Sequence, residues 1–356
     1  AIPQPQRRGQ PSGGAVMEPN AGPSVTDETR ACSPPDLWPG TACDADARAA
    51  LPQAMWSAAM QLRLSGVRRA PLPLSNGLLM MMNPPRTAEQ IREHYEIEKR
   101  LAEGLRNSTR QERRVLYTSL YDELFERVTH HPLLREKSSP GAAARRVVYQ
   151  MRDLEPFLRG DSTFLEIGPG DCALSLEVAG KVKKVFAIDV SEEIAKGLNP
   201  PQNLTFILSD GTSIPVPSDS VDVAYSNQLM EHLHPDDALE QLRNVYQTLT
   251  GGGVYICITP NRLNGPHDVS KYFDAVASGF HLKEYTVTEL YRLFRDTGFS
   301  GIRIFMLIKG RRVFPPTSLV MLFEKTLSLL PHRLRKPIAS SWPGSKLLGI
   351  RIVGTK

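Results

Sequence analysis

The sequence predicts an α/β protein: a doubly wound, mostly parallel seven-stranded sheet with a helical extension ahead of its first strand. Three observations predict it. The run Phe164-Leu165-Glu166-Ile167 is apolar enough for a buried strand, breaks into Gly168 and Gly170, and leads into a helical pattern. That is how the first strand–turn–helix unit of a nucleotide-binding sheet begins. Strand-like and helix-like runs then alternate, as they do when parallel strands are joined by crossover helices. Finally, distinctive polar residues recur where those strands end, the edge at which such sheets bind ligands.

The first 85 residues read differently. They hold thirteen of the 29 prolines and little periodicity. Such a segment cannot bury enough apolar surface to offset its ordering entropy. Residues 1–82 are therefore expected to be a disordered leader or a non-native extension, with the natural start at Met80–Met82 and at most a short helix over Leu51–Leu64. Residues 83–160 are expected to form a helical cap or lid. Thr87 and Gln90 make a capping box. Ile91, Tyr95, Ile97, Leu101 and Leu105 build an apolar stripe, and Leu116, Leu120, Leu124 and Val128 build a second. A third helix is predicted from Ala142 to Leu158. All three helices are expected over the ligand edge of the sheet.

Residues 161–356 then form the sheet domain. Strands are predicted at Thr163–Gly168, Lys184–Val190, Leu204–Leu208, Val221–Ser226, Val254–Thr259, Gly301–Ile308 and Leu348–Val353. Helices are predicted from Cys172, from Glu192, from Pro235 to the glycines Gly251–Gly253, and over Thr288–Thr297. Pro235 suits a first helical turn, and Asp236 and Asp237 face the helix dipole. The irregular stretch 260–285 is long for a compact domain and reads as a functional lid insert.

At the strand ends, Glu166, Gly168 and Gly170 close the first strand. Asp189 closes the second, where a carboxylate can accept two hydrogen bonds from vicinal ribose hydroxyls. Asp210 and Gly211 close the third, where an acid can accept from an exocyclic amine. Asn227 and Gln228 close the fourth.

From Phe164 to Val353 this pattern resembles the class I S-adenosylmethionine-dependent methyltransferases of the compact UbiE-like type. Glu166-Ile167-Gly168-Pro169-Gly170 matches their methionine-wrapping loop, and Phe186-Ala187-Ile188-Asp189-Val190-Ser191 matches their second motif. Ser209-Asp210-Gly211 is similar to the adenine-edge motif. Ile214–Val223, Asn227–Leu233 and Gly251-Gly252-Gly253 are similar to the family's segments around strand four and before strand five. The resemblance implies a Rossmann-like fold with S-adenosyl-L-methionine as cofactor. It implies binding by Glu166, Gly168, Gly170, Asp189, Val190, Asp210, Gly211 and Asn227. Cys172 departs from the pattern, standing where the family often has a third glycine.

Two other readings compete. A nicotinamide-dependent oxidoreductase would use the same sheet, and Ala173 is permitted at its third glycine position. Asp171 at the helix start, however, would repel a pyrophosphate. The other alternative is a non-catalytic, cofactor-binding interaction module.

Methyl transfer asks mainly for alignment and exclusion of water. A hydroxyl acceptor also asks for a base. The candidates are His281 and His267 in the lid insert, then His232. Metal ligation is not expected, because His232 and His234 lack a third ligand at metal spacing. The hydrogen-bonding groups of the insert, among them Asn261, Arg262, Asn264, Asp268, Lys271, Tyr272 and Tyr285, suit a small polar acceptor, with O-methylation favoured.

Charge is unevenly placed. Residues 301–356 carry eleven Lys/Arg against Glu324 alone, +10, so the remaining residues carry −5 of the formal +5. Residues 317–336 pair an apolar run with a basic cluster, which suits peripheral membrane contact. The plainer reading is a crossover helix packed on the sheet. No nucleic-acid-binding module is evident. Cys32, Cys43, Cys172 and Cys257 have no metal or redox spacing, which fits a reducing, cytoplasmic setting.

Overall fold

Two capping boxes start the described chain. Thr87 Oγ1 accepts from the Gln90 amide, and the Gln90 side chain accepts from the Thr87 amide at 3.0 Å, opening α1 (Ala88–Asn107). Thr109 and Glu112 repeat the device to open α2 (Arg110–Arg127). In this computed structural model, residues 86–132, 134, 141–191 and 198–356 are described, all within the unit Leu74–Lys356. The expectations for residues 1–82 and for the helix from Glu192 fall outside the described residues.

After α3 (Ala142–Leu154) comes β1 (Thr163–Ile167), buried on both faces as a central parallel strand must be. Side chains alternate along a strand. Leu165 and Ile167 therefore join one apolar cluster with α1 and α2, while Phe164 joins another with α3 and α4 (Ala173–Ala179). Glu166 shares the Phe164 face, and this fixes its fate below.

The remaining elements are β2 (Lys184–Asp189), β3 (Leu204–Leu208), β4 (Val221–Asn227), α5 (Pro235–Thr248), β5 (Leu249–Thr259), α6 (Val287–Thr297) and β6 (Ser300–Ile304). They are followed by β7 (Met306–Ile308), β8 (Arg311–Val313), α7 (Thr317–Ser328), α8 (His332–Ser340), α9 (Trp342–Leu348) and β9 (Ile350–Thr355). Seven strands form one sheet in the order β3-β2-β1-β4-β5-β9-β6. The first five run parallel, and β9 lies antiparallel between β5 and β6. Strand order reverses between β1 and β4, the switch point where ligands bind. The predicted sheet of seven, mostly parallel strands is the observed one.

Three expectations change. The strand predicted over Gly301–Ile308 ends at Ile304. Phe305 is fully buried and its amide donates to the Arg351 carbonyl at 3.0 Å. Lys309 and Gly310, both at positive φ, then turn β7 onto β8 as a separate hairpin. Gly251–Gly253 do not end a helix; α5 stops at Thr248, and the glycines lie inside β5, where the register against β4 shifts. The third helix does not join the first two. It places Met151 and Leu154 on the Phe164 face, as an ordinary layer of the sheet.

α7, α8 and α9 cross from β8 back to β9. Leu327, Ala339 and Leu348 pack with Leu263 in a small cluster of their own, so this segment is a packed crossover.

Candidate functional site

Gly168 and Gly170 stand at φ +71° and +61°, a region that favours glycine. A Cβ at Gly170 would meet nothing within 4 Å, so space over the turn is open, while one at Gly168 would meet Leu229 at 3.2 Å. Cys172 follows at φ 55° with its side chain buried, and burial pushes its thiol up to about 12. Asp171 pairs with Arg146 and accepts from the Ala173 amide. Its charge is shared, so it repels a phosphate less than the sequence suggests.

Glu166 does not face the open turn. Its side chain is buried and accepts from Ser175 Oγ on α4. Burial pushes the carboxyl up to about 8, against the pull of the Ser175 hydrogen bond. Its observed work is to tie β1 to α4 beneath the turn.

Asp189 Oδ1 accepts from the amides of Val190 at 2.7 Å and Ser191 at 3.2 Å, which sets the loop after β2. Asp210 Oδ1 accepts from the Thr212 and Ser213 amides, while Oδ2 lies 3.2 Å from Arg114 Nε on α2. Burial raises this acid, but the backbone bonds dominate and hold it down at about 2. Gly211 sits at φ +90°, and a Cβ there would lie 2.8 Å from Tyr117 Cδ2. Asn227 ends β4 at the switch point.

α2 covers these strand ends because a buried clamp holds it there. Arg113 reaches Asp237 through Nε and through Nη2 at 2.8 Å, and both side chains are nearly inaccessible. The Tyr117 hydroxyl donates to Asp237 Oδ2 at 2.9 Å and accepts from the His234 amide at 2.8 Å. Asp237 thus anchors α2 to the first turn of α5.

Beyond β4 a histidine–carboxylate cluster forms. His281 Nδ1 lies 2.7 Å from Glu284 Oε1. The same carboxylate accepts from the His267 amide at 2.7 Å and lies 3.4 Å from His267 Nδ1. Burial opposes the charge on Glu284, but its two histidines hold it down at about 2. Burial lowers His281 as well, yet Glu284 and the charges of Glu231 and Asp268 raise it above the usual histidine value. His232 packs edge-on against His281, ring centroids 4.9 Å apart, with Nδ1 3.1 Å from the Phe280 carbonyl. Burial and then His281 push it down to about 3, so it stays neutral. Glu231, fully buried, accepts from Thr259 Oγ1 at 2.8 Å, and burial pushes it up to about 7. The three candidate bases are therefore neighbours, although 35 to 49 positions separate His232 from the other two in sequence.

Tyr121 of α2 packs against this cluster. Its ring lies 5.4 Å from Phe280 and 6.0 Å from His232. Burial raises its phenol, as do the charges of Glu98, Glu231 and Asp189. A cavity of about 180 Å³ opens beside His281 and Glu284, lined also by Arg262, Pro266, Val276, Ala277, Leu282 and Lys283. Much of the insert's polarity is internal. Asn261 donates to Glu324, and Asp268 accepts from Ser270 and the Gly279 amide. Arg106 of α1 fastens the insert by donating to the carbonyls of Ser278 and Gly279.

Sequence reasoning missed Glu231, Glu284 and Tyr121. Glu231 and His232 were visible as an adjacent pair, but Glu284 gains meaning only once the insert folds. Tyr121 follows Leu120 of the second stripe, and the stripe gave no sign of what it touches.

Residues 165–257, about a quarter of the chain, match the family described as a methyltransferase domain. A probable S-adenosylmethionine-dependent methyltransferase of Mycobacterium tuberculosis is 29% identical over 150 residues, 42% of this chain and 53% of that protein. One from Mycolicibacterium smegmatis is 28% identical over 176 residues, 47% of this chain and 65% of that protein. The chain thus spans about half to two thirds of the length of these curated relatives. Among solved structures, a SAM-dependent methyltransferase of Archaeoglobus fulgidus is 16% identical with a TM-score of 0.44, covering 63% of this chain and 99% of that one. A glycine turn ends β1, an acid ends β2, and the residues that match a methyltransferase domain span both, so this part of the chain is similar to S-adenosylmethionine-dependent methyltransferases.

Proposed function

We propose that the protein methylates a hydroxyl of a small polar metabolite. The observation that carries this reading is the buried histidine–carboxylate cluster, against which Tyr121 of α2 packs. The open turn at Gly170 and the acid ending β2 fit S-adenosyl-L-methionine, which supplies an electrophilic methyl group when bound. Gly168 and Gly170 would let its methionine portion approach the backbone. Asp189 and Val190 would hold the ribose, and Asp210 and Gly211 the adenine edge, with Asn227 beside them. Glu166 acts from below by fixing the turn.

The acceptor side has different work. As the new C–O bond forms, the acceptor oxygen gives up its proton. We place that step at His281, with His267 and His232 beside it. Glu284 orients the first two rings, and Phe280, Tyr121 and α1 exclude water. The Arg262 and Lys283 side of the cavity favours an acceptor with anionic or strongly polar substituents.

Calorimetry with S-adenosylmethionine, S-adenosylhomocysteine and NAD tests the cofactor. A labelled-methyl screen over hydroxylated metabolites tests the acceptor. Binding of NAD alone would overturn the reading. Cofactor binding together with methylation of amines only would overturn its O-methyl part.

A second reading concerns the partner surface. Leu319, Leu322, Leu329, Leu334, Ile338 and Trp342 are exposed, beside Lys325, Arg333, Arg335 and Lys336. This favours peripheral docking of 317–336 on an anionic membrane. Among the described residues no helix is long and apolar enough to cross a bilayer. Flotation with phosphatidylserine-containing vesicles tests it. Equal recovery with neutral vesicles, or none with either, would remove the idea.

A further inference from the structure

Glu231, His232 and His281 each present one ligand atom, and these atoms lie within 4.8 Å of one another. Ligands about 2.1 Å from a common ion sit no more than about 4.2 Å apart. A small rotation of two rings therefore closes the set.

The groups around the three residues are those a metal site needs. His232 Nδ1 faces the Phe280 carbonyl, an acceptor only, so that nitrogen carries the hydrogen and Nε2 keeps its lone pair. His281 Nδ1 faces the Glu284 carboxylate with the same result. A ring nitrogen hydrogen held by a carbonyl or carboxylate is how ligating histidines are oriented. Glu231 Oε2 is held by Thr259, while Oε1 is buried without a partner. A fully buried carboxylate oxygen left unpaired beside two imidazoles is costly unless something seats there.

The fold offers a contrast. His94, Glu98 and His131 also lie within 4.8 Å of one another. There, however, Arg86 Nη1 sits 2.8 Å from His94 Nδ1. Arginine only donates, so the hydrogen of a neutral His94 is on Nε2, the nitrogen 3.8 Å from Glu98 Oε2. That arrangement fills the lone pair a metal would use and adds a cation beside it.

We propose that Glu231, His232 and His281 bind a divalent transition-metal ion. Two imidazole nitrogens and one carboxylate select zinc, manganese or iron over magnesium or calcium. Three protein ligands leave positions open, as in catalytic rather than structural sites. The binding claim stands without the methyl-transfer reading. Joined to it, the ion would orient the acceptor hydroxyl and ease its proton loss, and the proton would pass to His267, because His281 would hold the ion through Nε2.

The test uses the full chain, stripped with chelator and titrated with Co²⁺, Zn²⁺, Mn²⁺ and Mg²⁺. Expected are about one Co²⁺ or Zn²⁺ per chain by elemental analysis, visible cobalt absorption of a nitrogen–oxygen site, and at least tenfold weaker Mg²⁺ binding. His232→Gln and His281→Gln should remove the cobalt spectrum while keeping the far-UV circular dichroism of the parent. Should either fail to fold, Glu231→Gln provides the same readout. His94→Gln should leave the spectrum unchanged. No bound ion in the wild type, or a cobalt spectrum that survives in His232→Gln and His281→Gln, would overturn the proposal. Calorimetry with S-adenosylmethionine on the same samples keeps a failure of the methyl-transfer reading separate from a failure of the metal site.

Discussion

At the cofactor edge, Gly168, Gly170 and Asp189 lie within one continuous strand–turn–helix–strand run. At the histidine–carboxylate cluster, the acceptor side of the proposed reaction, Glu98, Tyr121, Glu231, His232, His281 and Glu284 come from α1, α2, the turn after β4 and the 260–285 insert. The first region takes its geometry from backbone conformation: positive φ at two glycines and amides gathered on Asp189. The second takes its geometry from tertiary contacts that hold α1 and α2 across the strand ends. Damage to long-range packing should therefore reach the acceptor side first, whereas damage to the cofactor edge should be local.

The strongest way to break this contrast is Arg113→Met. It leaves Asp237 buried without its cation, a loss of about 3–5 kcal/mol, or a Tm lower by roughly 10 °C. Thermal denaturation checks it, and adding Asp237→Leu should restore part of the loss. An unchanged Tm would mean that α2 is held by something other than the clamp. Asp189→Ala should do the reverse. Two charge-assisted hydrogen bonds to ribose predict a loss of about 100-fold in S-adenosylmethionine affinity by calorimetry, with only a small change in the Tm of the free protein.

Gly211→Ala probes the seam between the regions. Its Cβ would lie 2.8 Å from the Tyr117 ring at a backbone φ of +90°, a cost of about 1–2 kcal/mol readable by urea denaturation. At pH 5 the smallest effect belongs to Glu166→Gln. The folded carboxyl titrates at about 8 and the unfolded one at 4.5. Its contribution is fully present below pH 4.5 and is lost as pH rises towards 8. The amide variant should match the parent within about 1 kcal/mol at pH 5 and lose less stability between pH 5 and 8. Parallel stability–pH curves for the two proteins would place the ionised carboxylate in the fold instead.

What the sequence revealed follows the same division. Asp189 was legible because chain connectivity places a strand-end acid a fixed distance beyond the glycine turn. Glu166 was legible as a motif residue but not in its role. The period-2 alternation that buries Phe164 also turns Glu166 towards α4 and away from the open turn. The lid insert looked like a substrate surface because it is rich in polar side chains. Yet a segment without a hydrogen-bonding ladder must satisfy its own backbone, and Asn261 and Asp268 do that work. The three histidines were legible as candidates, but their meeting was not. It depends on Glu284 reaching both His267 and His281, and on His281 packing against His232.

Glu324 is the only acid among the last 56 residues, and it is buried. Its carboxylate accepts from the amides of Val287 and Thr288 at the start of α6 and from Asn261 at the root of the lid insert. α7, whose outward face carries the exposed leucines, is thereby bolted to both the preceding helix, α6, and the lid insert. A force applied to α7 from outside reaches the segment that carries His267 and His281 through the Glu324 carboxylate and through Leu327 packed on Leu263. Replacing Glu324 with glutamine would loosen that bolt, leaving the surface and the chemistry in place but less tightly coupled.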